Sequence, residues 1–221
     1  MKKANVSFLI CFLLLTAPSS LQNINYCAER LIDDSLHIEL VDNLIEHIEV
    51  FNQFAMRLGA LESTNNYRAI NGSYVGKYQF GNLALADLGM PAYDKYSLLY
   101  NPELQDRLFF RWLSLLHNQY LQTEINLYTG LKVKDIFITP AGILAGGHLG
   151  GSGSVKRFLR TNGRFDFADA NNTHVSRYIY LFSDLTQDFR FDIVSEDLFI
   201  KYRKNPNFRE TLIYNETFFK L

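Results

Sequence analysis

Apolar residues recur at helical spacing from Ser35 to Leu61, and acidic or amide side chains fill the positions between them. This pattern is typical of a helix that buries one face. It predicts either one long helix or two abutting helices over this stretch. The apolar positions are Ile38, Val41, Leu44, Ile45, Ile48, Phe51, Phe54, Leu58 and Leu61.

Turn-forming residues mark the end of this helical stretch and the elements that follow it. The pair Asn71-Gly72, flanked by short apolar stretches, predicts a β-hairpin, and a short helix is expected over 82–88. Asn101-Pro102 combines a capping side chain with a proline, which predicts the start of another helix.

The second half of the chain repeats the same start signal at Thr139-Pro140. A glycine-dense stretch follows over 141–159, and we interpret it as a joint between two short helices. A further helix is expected through 178–182. The whole pattern predicts a mainly α-helical domain with one small hairpin.

The first residues have the layout of a signal peptide, which we assign to residues 1–20. Lys2 and Lys3 precede an apolar run over 6–15, and small residues follow it. We therefore expect export to a bacterial periplasm or to the medium. Cys11 would leave with the signal peptide, so Cys27 would have no partner for a disulfide within the chain.

The balance of charges in the chain excludes one class of partner. Lysine and arginine total 22 against 23 aspartate and glutamate, so we expect no nucleic-acid partner.

The main domain is expected over 21–185, and residues 186–221 form a C-terminal extension of unknown role on the same domain. Its basic and aromatic cluster is interpreted as a solvated face over a final helix. The cluster comprises Lys201, Tyr202, Arg203, Lys204, Phe208 and Arg209.

Glu62 is the first candidate for chemistry. It follows the last apolar residue of the long helical stretch, beside carbonyl groups at the negative end of the helix dipole. That position and the neighbouring apolar side chains favour the protonated carboxyl group, which is the form a general acid needs. Most glutamates at helix ends are nevertheless solvated and take no part in chemistry.

Three short blocks around Glu62 and beyond it give the stronger indication. They read E-S-T-N-N-Y over 62–67, G-K-Y-Q-F-G over 76–81 and L-A-G-G-H-L-G-G-S-G-S-V-K-R-F-L over 144–159. In this order they resemble the blocks of lytic transglycosylases of the lysozyme-like superfamily, in the phage-like subgroup with Y-Q-F-G and A-H-L-G-G blocks. The resemblance covers about 51–182.

This resemblance implies a lysozyme-like α+β fold with the hairpin beside the active-site cleft. It also implies cleavage of the β-1,4 bond between N-acetylmuramic acid and N-acetylglucosamine in peptidoglycan. Glu62 matches the single catalytic residue, acting as acid and then as base without a cofactor. Ser63 matches the serine that orients the glutamate, and Gln79 matches the glutamine that lines the sugar cleft.

The chain departs from the family where many transglycosylases carry a tyrosine that is hydrogen-bonded to the glutamate. Gly147 and His148 stand there instead. Either His148 or a hairpin tyrosine such as Tyr78 is expected to take that role. The glycines around Gly147 permit either backbone approach to a sugar or tight helix packing.

Other chemistries have weaker support in the sequence. Asp87 and Asp94 lie in no persuasive motif, and we do not expect either to be catalytic. The histidines lack metal-ligand spacing, so no metal is expected. The alternatives are a hydrolytic lysozyme, a chitinase-like enzyme, or a non-catalytic protein of the cell-wall or secretion machinery. Peptidoglycan is the expected partner, and the sequence leaves the oligomeric state open.

Overall fold

The computed structural model describes the backbone of residues 19–214 and the side chains of 35–91 and 94–214. The predicted signal peptide falls almost wholly outside these residues, as do Cys11 and the side chain of Cys27, so export stays a prediction. Among the helices of the described part, none combines the length and the apolar composition needed to cross a membrane.

The chain divides into two compact units. The larger unit runs from Leu44 to Phe208, and the smaller contains the chain up to Asn43 and from Arg209 onward. Within the smaller unit, an ion pair of 2.7 Å joins Arg209 to Asp42. All candidate residues from Glu62 to His148 lie in the larger unit.

Helices account for most of the described chain, which confirms the prediction of a mainly α-helical protein. They are α1 (Ser19–Ser63), α2 (Asn82–Asp87), α3 (Pro102–Leu115), α4 (Gln122–Tyr128), α5 (Pro140–Arg160), α6 (Val175–Leu181), α7 (Glu196–Lys204) and α8 (Phe208–Ile213). A 3₁₀ helix (Ala92–Tyr100) precedes α3, and a π-helical segment (Leu116–Tyr120) follows it.

The described part of the chain contains two antiparallel hairpins, so the prediction of a single hairpin is wrong. The predicted one pairs β1 (Ile70–Asn71) with β2 (Tyr74–Val75), and the second pairs β3 (Lys132–Val133) with β4 (Ile136–Phe137). The second turn consists of Lys134 and Asp135, both with positive φ. That conformation usually selects Asn-Gly or Asp-Gly, so this turn lacks the sequence signal of the first.

Helix α1 is continuous, as the long-helix alternative predicted, and its predicted apolar positions from Leu44 to Leu58 are buried. Leu61, one turn further on, is 44% exposed. The helix ends because Thr64 and Asn65 adopt positive φ, and their amides donate to the carbonyls of Ala60 and Gly59. This pair of hydrogen bonds satisfies carbonyl groups that the helix itself leaves unpaired.

Both predicted capping residues are confirmed. The Asn101 side chain accepts from the Leu104 amide at the start of α3, and the Thr139 side chain accepts from the Gly142 amide at the start of α5. Gly151 divides α5 with a non-helical backbone (φ 75°, ψ 161°), which confirms the glycine joint.

A cluster of phenylalanine rings forms the centre of the larger unit. It joins α1 to α3 and to the segment between α6 and α7, with ring centroids 4.8–6.4 Å apart. Such contacts stabilise a core beyond the burial of area alone. Its members are Phe51, Phe54, Phe109, Phe110, Phe182, Phe189, Phe191 and Phe199.

Helix α6 packs closely on α5 because α5 carries glycine at the contact. A β-carbon at Gly142 would lie 2.8 Å from the Ile179 carbonyl oxygen, whereas one at Gly153 would meet nothing within 4 Å. We expect Gly142→Ala to lower the free energy of unfolding by about 1–3 kcal/mol, because the backbone at Ile179 would have to move to make room for the methyl group. Gly153→Ala, the matched control on the same helix, should raise it by up to about 1 kcal/mol.

Urea unfolding of both variants and the wild type checks this pair. Equal effects of the two substitutions would show that the close approach of α5 and α6 does not constrain the fold.

Candidate functional site

One continuous cleft crosses the larger unit beside the first hairpin. It consists of two adjoining cavities of about 600 and 540 Å³ that share five lining residues. The shared residues are Ser73, Tyr74, Gln79, His148 and Leu149. We call the cavity lined by Glu62, Asp169, Asn171 and Tyr178 the acid compartment. The other, lined by Phe80, Leu83, Trp112, Tyr120 and Phe167, is the apolar compartment.

Glu62 lies at the end of α1, in the wall of the acid compartment. Its side chain is 14% exposed. The Tyr178 hydroxyl donates a hydrogen bond of 2.8 Å to its Oε1 atom. Burial, and then the charge of Glu62, raise the pKa of Tyr178 far above the ordinary value for a phenol, so the hydroxyl stays a donor.

His148 lies beside Glu62 as a neutral ring. Its Nδ1 accepts from the Trp112 indole N–H at 3.2 Å, and its Nε2 donates to the Tyr78 carbonyl at 2.9 Å. An indole only donates and a carbonyl only accepts, so the single ring proton is on Nε2. Burial lowers the pKa of His148, which favours the same neutral form. Nε2 is 3.9 Å from Oε1 of Glu62.

The expected hydrogen bond from His148 or Tyr78 to the glutamate is therefore made by Tyr178 instead. The single ring proton of His148 is already donated to the Tyr78 carbonyl. The Tyr78 side chain is fully buried against Phe109, and its hydroxyl donates to Asp106 at 2.6 Å. No local sequence signal marks Tyr178, because its approach to Glu62 depends on how α6 packs against α5.

Ser63 connects the end of α1 to the segment after β2. Its hydroxyl donates to the Lys77 carbonyl at 2.8 Å and accepts from the Asn66 amide at 3.0 Å. It makes no hydrogen bond to the Glu62 carboxyl group among the described contacts, so its predicted role in orienting Glu62 stays a prediction.

Gln79 lines both compartments, as the sequence predicted for a cleft residue. Its backbone has positive φ (49°), and its Nε2 donates to the Gly76 carbonyl at 2.8 Å. The Oε1 atom is buried and has no hydrogen-bond partner among the described residues.

Gly147 packs closely against a neighbouring side chain and also lines the apolar compartment, so both of its predicted uses stay open. A β-carbon there would lie 2.8 Å from Cδ1 of Leu121. Gly151, by contrast, has open space at the β-carbon position and lines the apolar compartment.

Asp169 is the second carboxylate of the acid compartment, and sequence reasoning missed it as a cleft residue. Its Oδ1 accepts from the amides of Asn171 and Thr173, at 2.9 and 2.7 Å, so it holds the loop that closes the compartment. Asp87 is exposed in the lining of the apolar compartment, and Asp94 lines neither compartment. Within the described part of the chain, no cluster of His, Cys, Asp and Glu side chains could hold a metal ion.

A buried charged cluster lies behind the cleft, centred on Asp106. Its carboxylate accepts from the hydroxyls of Tyr67 and Tyr78 and pairs with Nε of Arg203 at 3.2 Å. The prediction of a solvated face is therefore wrong for Arg203, whose side chain is 14% exposed. Burial and the Asp106 charge raise the pKa of Tyr67 to about 12. We call this set, together with Lys77, the Asp106 cluster.

Lys77 is the unbalanced member of the cluster. Its side chain is buried, its ammonium lies over the rings of Tyr67 and Tyr78, and its described polar contact is the Met56 sulfur. Burial, reinforced by the charge of Arg203, lowers the pKa of Lys77 to about 8.

We expect Lys77→Met to stabilise the protein at pH 7, on the order of 2 kcal/mol, because a buried charge is removed. Between pH 8 and 10.5 the unfolded lysine keeps a proton that the folded one has lost, so wild-type stability rises with pH in this window. The advantage of the variant should therefore shrink at pH 10. Urea unfolding of the variant and the wild type at pH 7 and at pH 10 measures this difference in stability.

Lys132→Met on β3, at an exposed position, is the control and should show no such pH-dependent difference. A Lys77→Met variant that is less stable than the wild type at pH 7 would contradict the assignment of Lys77 as an unbalanced buried charge.

Comparison of the chain with protein-family models, with curated proteins and with solved structures finds no match in any of the three.

Proposed function

We propose that this protein is an exported lytic transglycosylase with a lysozyme-like fold, which cleaves peptidoglycan glycan strands with Glu62 as acid and then base. The observation that carries the proposal is the setting of the Glu62 carboxyl group. It lies in a cleft wall, largely shielded from solvent, with a phenol donor on one oxygen. The three sequence blocks, in order, provide the link to this enzyme class.

The surroundings of Glu62 support a role as a general acid. Tyr178 and the neutral ring of His148 are the polar side chains that lie against its carboxyl group among the described contacts. Tyr178 occupies Oε1, so Oε2 is the oxygen that carries the transferable proton. The fixed orientation of the carboxyl group removes a cost that a mobile side chain would add to the barrier.

The proposed reaction needs one carboxyl group. Glu62 protonates the glycosidic oxygen as its bond to C1 breaks, and the 2-acetamido oxygen of the same sugar bonds to C1 in place of a second carboxylate. The Glu62 carboxylate then takes the proton of the C6 hydroxyl, whose oxygen attacks C1 and displaces the acetamido oxygen. The product is a 1,6-anhydro sugar, and Glu62 regains its proton.

The structure of the cleft supports a glycan as the ligand. Each compartment has the volume of a typical small-ligand site, and together they offer room for more than one sugar. Gln79 lines both compartments at their junction, where a strand that occupies both would pass. Asp169 is assigned to holding its own loop, because two backbone amides already bind its Oδ1.

The mature chain should release anhydro-muropeptides from purified sacculi, and Glu62→Gln should abolish the release because the amide cannot donate the proton. Mass spectrometry of the soluble products measures this. Asp94→Asn is the matched control: it removes an exposed carboxylate that lines neither compartment and should leave the product yield unchanged.

Products heavier by one water would identify a hydrolytic lysozyme instead. Equal release by wild type and Glu62→Gln would refute the role of Glu62. An absence of soluble products from the wild type would favour the wall-binding alternative.

Tyr178→Phe should lower kcat by roughly tenfold to a hundredfold, because the carboxyl group loses the donor that fixes its orientation. Tyr180→Phe is the matched control on the same helix, where the side chain is 64% exposed. Rates of sacculus solubilisation, measured together with the thermal midpoint of each variant, test this. A rate unchanged by Tyr178→Phe would show that the hydrogen bond to Glu62 does not serve catalysis.

A further inference from the structure

Helix α7 lies against α3 through a set of ion pairs. Arg107 and Arg111 of α3 pair with Glu196 at the start of α7, and Lys204 at its end pairs with Glu103. These pairs are partly or largely exposed, so each contributes little to stability. They bring α7 into place, and among the other cations of α7 one differs in its position.

Arg203 is that cation, and it extends into the interior. Nε pairs with Asp106, whose side chain is 9% exposed, and Nη2 donates to the Tyr67 hydroxyl at 3.0 Å. A buried charge pair of this kind makes a weak net contribution to stability, but it fixes geometry, because removal of one partner leaves the other unpaired.

The contacts of Asp106 continue to the cleft. Its Oδ1 accepts from Tyr78, and the backbone carbonyl of Tyr78 accepts from Nε2 of His148. The other ring nitrogen of His148 accepts from the indole of Trp112 in the cleft wall. The route from Arg203 to the side chain beside Glu62 therefore consists of three consecutive polar contacts.

We propose that Arg203 is a positioning residue of the cleft, and that α7 is the element that delivers it. Through Asp106 and Tyr78 it sets the place of the carbonyl that holds His148 next to Glu62. This inference rests on the proposed function for its catalytic consequence. The positioning itself can be measured without any reaction.

The test compares Arg203→Met with Lys204→Met in the mature chain. Both remove one cation from the same helix, but only the first removes a partner of Asp106. Trp112 is the single tryptophan of the chain, so its indole N–H gives one assignable peak in a ¹H–¹⁵N spectrum. That N–H donates to His148, so the peak reports on the ring position.

We expect Arg203→Met to shift the indole peak and to lower kcat on solubilised glycan strands by roughly tenfold or more, with KM changed less than about twofold. Lys204→Met should leave both readouts at wild-type values. Arg203→Lys retains the charge next to Asp106 and should recover most of kcat. Tyr78→Phe, which removes only the hydroxyl bound to Asp106, should reproduce the shift even if Arg203→Met does not fold.

An unchanged indole peak in both Arg203→Met and Tyr78→Phe would overturn the proposal, as would equal losses of kcat in Arg203→Met and Lys204→Met. An inactive wild-type chain would refute the proposed function. The indole peak would still decide whether Arg203 positions His148.

Discussion

Burying the Asp106 carboxylate requires donors for its oxygen atoms, and those donors come from separate parts of the chain. Tyr67 and Tyr78 supply them from either side of the first hairpin, and Arg203 supplies them from α7. An uncompensated carboxylate in this place would be strongly destabilising. The hairpin, α3 and the C-terminal segment are therefore held in one arrangement, and the cleft depends on it.

That arrangement gives Glu62 a restricted chemical environment. The hairpin side provides the Tyr78 carbonyl that accepts from His148, burial favours the neutral form of that ring, and α6 provides the Tyr178 hydroxyl. A single carboxyl group with a fixed donor and a neutral neighbour suits proton transfer better than it suits metal binding or permanent charge pairing. Under the proposed function, the acid compartment that Glu62 lines and the apolar compartment that adjoins it together hold an extended glycan strand.

The sequence predicted local features well, because these depend on nearby residues. The end of α1 near Glu62, the hairpin at Gly72 and the helix starts at Asn101 and Thr139 all follow from turn and capping chemistry. The joint in the glycine-rich helix follows from the same chemistry.

Features that depend on tertiary packing were not predictable in this way. Tyr178 contacts Glu62 although the two residues are 116 positions apart in the sequence. The sequence around Arg203 is typical of a surface cation, and the packing of α7 on α3 is what buries its side chain. The hairpin at Lys134 and Asp135 uses residues that seldom adopt its turn. For Tyr178 and Arg203, the position in the packed structure and not the residue type determines the contacts of the side chain.

The most direct test of the central claim is a crystal structure of Glu62→Gln with a bound peptidoglycan fragment of at least two disaccharide units. Our account predicts that the strand occupies both compartments, with a glycosidic oxygen within hydrogen-bond distance of the side chain at position 62 and an acetamido group near Gln79. A strand bound outside the cleft, or one whose glycosidic oxygens all lie beyond reach of position 62, would contradict it.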